Sequence, residues 1–394
     1  MRRWPISVPR SWTRGSGSLV REYLTVFLVA AAVTYLLGVV AREIALRTGA
    51  VAKVRDRDVH AVPIPYFGGL AMLGGLVAAY LVAKQLPFLS LSDDRMFHDA
   101  GIVLVAGALI CAVGVLDDLF ELDAFTKLGG QVLAAGFLVF FGVQYYSFQV
   151  PGRGQLTLDS AQAALFSVVI VVATVNAVNF VDGLDGLAAG VVGIGAVAFF
   201  AFSYKLADAN GETLAITAAL LCAALAGVCV GFLPHNFFPA RLFMGDSGSM
   251  LIGLVLAGSA LTLTGQFATV DISQGAGGGQ ASLLLLLLPI VLPISILIVP
   301  FADLVLAVVR RTRAGRSPFS PDKEHLHHRL LEIGHSHRRA VLIMWLWAGL
   351  IAFGGVFASL YAGPVTTTIL AAWVVATVAA TFYLPRLQHH GTSV

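Results

Sequence analysis

Most charged residues of this chain sit in short gaps between long apolar runs, and that segregation leaves few folds open. A helix needs about 20 apolar residues to cross ~30 Å of hydrocarbon. Runs of that size lie at roughly 23–45, 67–84, 99–116, 128–146, 163–181, 186–204, 213–232, 247–265, 282–305, 340–361 and 366–384. Only 12% of the 394 residues are charged, where soluble domains average about 25%. The expectation is an all-α fold, a polytopic membrane helix bundle of about eleven transmembrane helices. It forms one domain over 23–385, between a basic N-terminal tail, 1–22, and a C-terminal tail, 386–394. Pro289, Pro293 and Pro300 predict a kinked or broken ninth segment, because proline removes a helical N–H and frees carbonyls. Cys111, Cys222 and Cys229 fall in apolar runs without paired spacing and read as packing residues. No cleavable leader is expected, since the first run is too long and lacks a small-residue processing site.

With eleven spans, sixteen of the 25 lysines and arginines fall on one face, the face that also carries the acidic motifs. The connections on the other face hold Lys84, Arg95, Arg153 and Lys205, and the N-terminal tail holds Arg2, Arg3, Arg10, Arg14 and Arg21. The positive-inside rule therefore predicts a motif face in the cytoplasm, in a cell inner (plasma) membrane. The basic tail argues the other way, because an odd number of spans puts it outside. The bias of the much longer chain behind it carries more weight.

Four polar stretches on that face hold the chemistry. The first is Asp117-Asp118 with Lys127. Adjacent carboxylates repel, so at a membrane edge they need a shared cation or proton; such a pair holds Mg²⁺ or takes a proton from an attacking group. The bland alternatives are a solvated helix end and a basic topological anchor. The second runs Asn176-Ala-Val-Asn179-Phe-Val-Asp182-Gly-Leu-Asp185-Gly. Its three-residue spacing would put all four polar side chains near one face of a helix, a costly arrangement unless they bind something or form an interhelical hydrogen-bond cluster. The third is Gly245-Asp246-Ser247-Gly248-Ser249, where an aspartate at a helix N-terminus suits a cation shared with phosphate oxygens. Capping explains one Asp or Ser, but not the two glycines. The fourth is His325-Leu-His327-His328-Arg329. Zinc is the first alternative for clustered histidines, yet no matching cysteine exists; histidines with an arginine better suit a nucleotide diphosphate. The later His335, His337, Arg338 and Arg339 read as a basic stop before the next span, and Arg55 to Gly69 as a loop that either meets lipid phosphate or is merely solvated.

Taken in this order, these stretches resemble the polyprenyl-phosphate N-acetylhexosamine-1-phosphate transferase family, from the first inner loop to the loop before the tenth span. The resemblance implies transfer of a sugar-1-phosphate from a UDP-sugar to a membrane polyprenyl phosphate, with release of UMP and a need for Mg²⁺, for which Mn²⁺ is a substitute. His-Leu-His-His-Arg, in place of three consecutive histidines, is similar to the branch using UDP-GlcNAc, and within it to actinobacterial members whose acceptor is decaprenyl phosphate. The family further implies that Asn179 and Asp246 hold the metal, that Asp185 contacts uracil, and that Lys127, His327 and Arg329 contact phosphate or sugar. It implies Asp117 or Asp118 as the base for the lipid phosphate; Asp246 is a further catalytic candidate, and Asn176, Asp182, His325 and His328 are substrate-binding candidates. Tyr66 and Phe125 depart from the residues common in the family at those places. The product would begin a lipid-linked cell-envelope glycan.

Alternatives are a phospho-MurNAc-pentapeptide transferase of the same family and, from another class, a cation-coupled transporter. A transporter predicts acids spread through the bilayer depth, whereas here they cluster at one face and no internal repeat is evident. A non-catalytic scaffold leaves Asp246 and the Asp117-Asp118 pair without a purpose. Expected partners are UDP-GlcNAc, the polyprenyl lipid and the membrane, with a second copy of the chain as a candidate; nucleic acid is not expected.

Overall fold

Helices occupy the apolar runs, and polar caps set where several of them begin. The structure, a computed structural model, describes residues 16–51, 63–92, 94–150, 154–210, 213–264, 312, 335–361 and 363–382. Its helices are α1 Ser16–Thr48, α2 Gly68–Ala83, α3 Asp94–Phe120, α4 Ala124–Phe140, α5 Ser160–Val181, α6 Leu187–Asn210, α7 Thr213–Asn236, α8 Gly245–Thr264, α9 His337–Leu360 and α10 Pro364–Phe382. Eight are long and apolar enough to cross a membrane; α2 and α4 are shorter apolar helices. Each overlaps a run read from the sequence, and the ninth run, 282–305, lies outside the described residues.

The helices overshoot several apolar runs because their polar ends remain helical. Asp123 accepts the Phe125 and Thr126 N–H groups and starts α4 four residues early, satisfying donors that a helix start leaves open. Asp159 and Gln162 form a reciprocal capping box at the start of α5. An addition to the all-helical expectation is a small antiparallel hairpin, β1 Ser147–Val150 with β2 Gly154–Thr157, between α4 and α5.

Burial separates a central pair from the periphery. In the apolar windows of α7 and α8, 89% and 94% of residues are buried, against 6% in α10, so α10 lies at the edge of the bundle. Within a bilayer, close packing replaces water exclusion as the force joining helices. Gly227 and Gly231 show it: a Cβ at either would strike the Phe27 or Ala31 carbonyl oxygen of α1, at 2.4 and 2.1 Å.

The alternation of helices puts the start of α2 at one end of the bundle with the α3–α4, α5–α6 and α7–α8 connections, and contacts of His337 and Arg338 with Phe238 bring the start of α9 to the same end. That end holds three of the four polar stretches.

Candidate active site

Asp117 and Lys127 meet because the connection between α3 and α4 is only three residues long. Glu121 takes a left-handed backbone, φ 52°, and Asp117 Oδ1 accepts the Leu122 N–H at 2.8 Å. The Asp123 cap then launches α4 at once, and its hydrogen bonds from Thr126 hold the Asp123 carboxyl below the usual carboxylate range. Lys127, one turn into α4, pairs with Asp117 Oδ2 at 2.8 Å and also with Asp246 Oδ2.

Asp246 opens α8, and Asp118 holds that opening in place. Asp118 Oδ1 accepts the Asp246 N–H at 2.8 Å and Oδ2 the Ser247 N–H at 3.3 Å. A carboxylate on free N–H groups at a helix start gains from both hydrogen bonding and the helix dipole. The neighbours in sequence thus have different partners: Asp118 has two rigid backbone donors, and Asp117 has one backbone donor and one flexible ammonium.

Both glycines of the third stretch are answered by close packing. Gly245 has φ +68°, and a Cβ there would meet the Asp118 carboxyl at 2.4 Å. A Cβ on Gly69 of α2 would meet Gly248 N at 2.3 Å, and one on Gly114 of α3 would meet Ser247 Cα at 2.4 Å. The Gly68 and Gly69 N–H groups donate to Phe243 and Met244 carbonyls, at 3.0 and 3.1 Å. The Gly68-Gly69 pair therefore seats the start of α8 against α2.

The second stretch divides at Val181, where α5 ends. The three-residue spacing aligns Asn176 and Asn179 on the helix and does not extend to the aspartates, which lie in the turn before α6. Asn179 Nδ2 donates to Asp246 Oδ1 at 2.5 Å and to Ser249 Oγ at 2.8 Å. Asp182 is half-buried, and burial, with the carboxylates of Asp246, Asp118 and Asp185 around it, holds it well above the usual carboxylate range. Asp185 is buried and accepts the Ala240 N–H at 2.9 Å. Asn176 lies one turn deeper, its amide hydrogens donated to Gln131 Oε1 at 2.6 Å and to the Val172 carbonyl at 2.8 Å. The fourth stretch, His325, His327, His328 and Arg329, lies outside the described residues.

Three groups outside the four polar stretches hold this end together. Buried Asn236 of α7 accepts the Gly186 N–H at 2.9 Å and donates to the Leu242 carbonyl at 3.1 Å, tying two turns together. Gln131 joins α4 to α5. His335 and His337 are buried rather than solvated; His335 Nε2 sits 3.0 Å from the Thr381 carbonyl, His337 stacks on Phe238 at 4.5 Å, and Arg338 Nε donates to the Phe238 carbonyl at 3.0 Å. Gln131 had one signal, as a lone amide in an apolar helix. Asn236 had none, since a polar residue at a helix end is ordinary.

Five carboxylates thus gather here, and Lys127 pairs with two of them. Among the described residues no three His, Cys, Asp or Glu side chains form a closed metal cage, the arrangement a structural zinc takes. Mg²⁺ asks for less, one or two carboxylates with the remaining ligands from water and phosphate. Asp246, the Asn179 amide oxygen and the anionic surroundings of Asp182 fit that pattern.

The glycosyl transferase family 4 model matches residues 100–264, which span all three described stretches. The chain is 49% identical over 380 residues, 95% of its own length and 92% of the other's, to a decaprenyl-phosphate N-acetylglucosaminephosphotransferase of Mycobacterium tuberculosis (strain ATCC 25618 / H37Rv). It is 47% identical over 379 residues, 95% and 91% of the two lengths, to the protein of that name from Mycolicibacterium smegmatis. A probable undecaprenyl-phosphate N-acetylglucosaminyl 1-phosphate transferase of Bacillus subtilis is 33% identical over 322 residues, 81% and 80% of the two lengths.

Proposed function

This chain belongs to the polyprenyl-phosphate N-acetylglucosamine-1-phosphate transferases of glycosyl transferase family 4, and on that premise we propose that it transfers GlcNAc-1-phosphate from UDP-GlcNAc to decaprenyl or undecaprenyl phosphate. The products are UMP and a lipid-linked GlcNAc that begins a cell-envelope glycan. The observation that carries the reading is the meeting of Asp117, Lys127, Asn179 and Asp246 at one end of a membrane bundle. A soluble nucleotide and a lipid with a long hydrocarbon tail can share a site only at such an edge.

An oxygen of the lipid phosphate attacks the sugar-bearing phosphorus; the new P–O bond forms as the bridging P–O bond breaks, and the bridging oxygen leaves with UMP. Such transfers depend on placement and charge neutralisation more than on covalent help from the protein. Lys127, at Asp246, is placed to neutralise phosphate oxygens, and when it turns to them Asp117 Oδ2 is released to accept the lipid-phosphate proton. Asp118 stays on the start of α8. Asp246 and Asn179 would hold Mg²⁺, which when bound screens the diphosphate charge. Asp182 and Asp185 would face the nucleotide, and His325, His327, His328 and Arg329 remain the sequence candidates for contact with the sugar and phosphates.

The sixteen basic residues on the motif face support a cytoplasmic site in the plasma membrane. The test is UMP release by purified protein supplied with polyprenyl phosphate and, in parallel, UDP-GlcNAc, UDP-GalNAc or UDP-MurNAc-pentapeptide. Turnover of UDP-GlcNAc that stops with EDTA and returns with Mg²⁺ is expected. Turnover indifferent to EDTA would reject the metal, and preference for either other donor would reject the substrate.

A further inference from the structure

Only one side of α4 packs into the bundle. Its buried residues are Gln131, Ala134, Ala135 and Leu138, while Leu128, Val132, Leu133 and Phe140 are exposed. Alanine surfaces pack almost equally well after a small rotation or slide, so they fix neither the azimuth of a helix nor its depth. Hydrogen bonds are directional and can fix both.

Gln131 is 1% exposed and lies one turn beyond Lys127 on the same side of α4. Its amide reaches two other helices. Gln131 Nε2 donates to Asn176 Oδ1 of α5 at 3.2 Å and lies 3.4 Å from Met250 Sδ of α8, and Gln131 Oε1 accepts from Asn176 Nδ2 at 2.6 Å. Asn176 precedes Asn179 by one turn, and Met250 follows Asp246 by one turn. The three helices that carry Lys127, Asn179 and Asp246 are therefore joined at one amide, about 5 Å below the site.

We infer that Gln131 is a positioning residue, which through its reciprocal amide bond with Asn176 fixes the rotation of α4 and so sets Lys127 against Asp246. The inference rests on the proposed sugar-phosphate transfer, in which Lys127 meets the reacting phosphates. It predicts loss of turnover without loss of nucleotide binding, because a misplaced ammonium is missed most in the transition state.

The experiment measures kcat and KM for UDP-GlcNAc, with thermal melting, for wild type and for Gln131→Leu, Gln131→Asn, Asn176→Gln and the double swap Gln131→Asn/Asn176→Gln. The swap moves one methylene across the pair and keeps its total length. Expected are a fall in kcat of about 10- to 100-fold for Gln131→Leu and Gln131→Asn, with KM changed less than about threefold, and recovery to within about threefold of wild type in the swap. Wild-type kcat in Gln131→Leu overturns the inference. So does a loss of kcat that only tracks the folded fraction, or a double swap no better than its worse single. An inactive wild type would instead reject the proposed reaction, so the two failures are distinct.

Discussion

Both ends of the bundle hold carboxylates away from bulk water, and they treat them in opposite ways. At the end away from the motifs, buried Glu22 of α1 accepts the Phe88 N–H at 2.9 Å and the Leu89 N–H at 2.8 Å. Its two oxygens cap the short 3₁₀ turn Leu89–Leu91 beyond α2. At the motif end, Asp118 is used in the same way, on two backbone N–H groups. Asp182, by contrast, is surrounded by carboxylates, and Asp246 draws on the amide of Asn179 and the mobile ammonium of Lys127. A buried acid answered by backbone donors is part of the frame. Acids left in excess mark where an outside cation belongs.

The largest effect should come from the acid with replaceable partners. Asp246→Asn keeps the size and much of the hydrogen bonding but removes the charge, and UMP release should fall by about a thousandfold or more, as expected when a principal electrostatic group is lost. Asp117→Asn should lower kcat about 10²- to 10⁴-fold, the range for removal of a general base, with little change in melting. Asp118→Ala should differ from both. Losing the acceptor of two helix-start N–H groups costs about 1–2 kcal/mol, so activity and melting should fall together. If Asp117→Asn and Asp118→Ala proved alike in melting as well as rate, the division between frame and chemistry would be wrong.

Glu22 supplies the opposite test. Glu22→Ala leaves the Phe88 and Leu89 N–H groups buried without their acceptor, a loss of about 1–3 kcal/mol, and should lower the melting temperature. UMP release per folded molecule should stay at the wild-type value. A fall in kcat at constant melting would show that the far end is coupled to the site, and the comparison between the two ends would need revision.

The end of the bundle that gathers the acids was legible because charge in apolar sequence is expensive, so each acidic stretch had to mark a functional edge or a turn. Alternation of the spans then put Asp117, Asn179 and Asp246 together before any coordinates. What each acid does was not legible. Asp117 and Asp118 are adjacent and chemically identical, and only the left-handed Glu121 and the placement of α8 separate their partners. Gly245 and Gly248, which capping left unexplained, make room for Asp118 and Gly69. The spacing of the second stretch suggested one continuous helical face, but the three-residue rhythm persists across a helix end that it cannot reveal. The hairpin at 147–157 escaped because four-residue strands in a polar connection carry too few alternations to register.

The smallest prediction concerns Asp182, and its sign separates the two kinds of acid most directly. Its carboxyl is held above the usual range by burial first and then by Asp246, Asp118 and Asp185, so the folded protein binds this proton more tightly than the unfolded chain does. That contribution to stability is full below the unfolded value, near 3.9, and declines as pH rises through the raised folded value. At neutral pH the acid is therefore a burden on the fold. Asp182→Asn removes it, and in metal-free buffer the variant should melt roughly 1–3 °C above wild type. Saturating Mg²⁺ with UDP-GlcNAc should erase or reverse that advantage, because the cation neutralises the wild-type cluster and binds the folded state. A variant that melts lower than wild type without metal would mean that Asp182, like Glu22, is held by donors of the frame, and the surplus of negative charge would then shrink to Asp246 and Asp117.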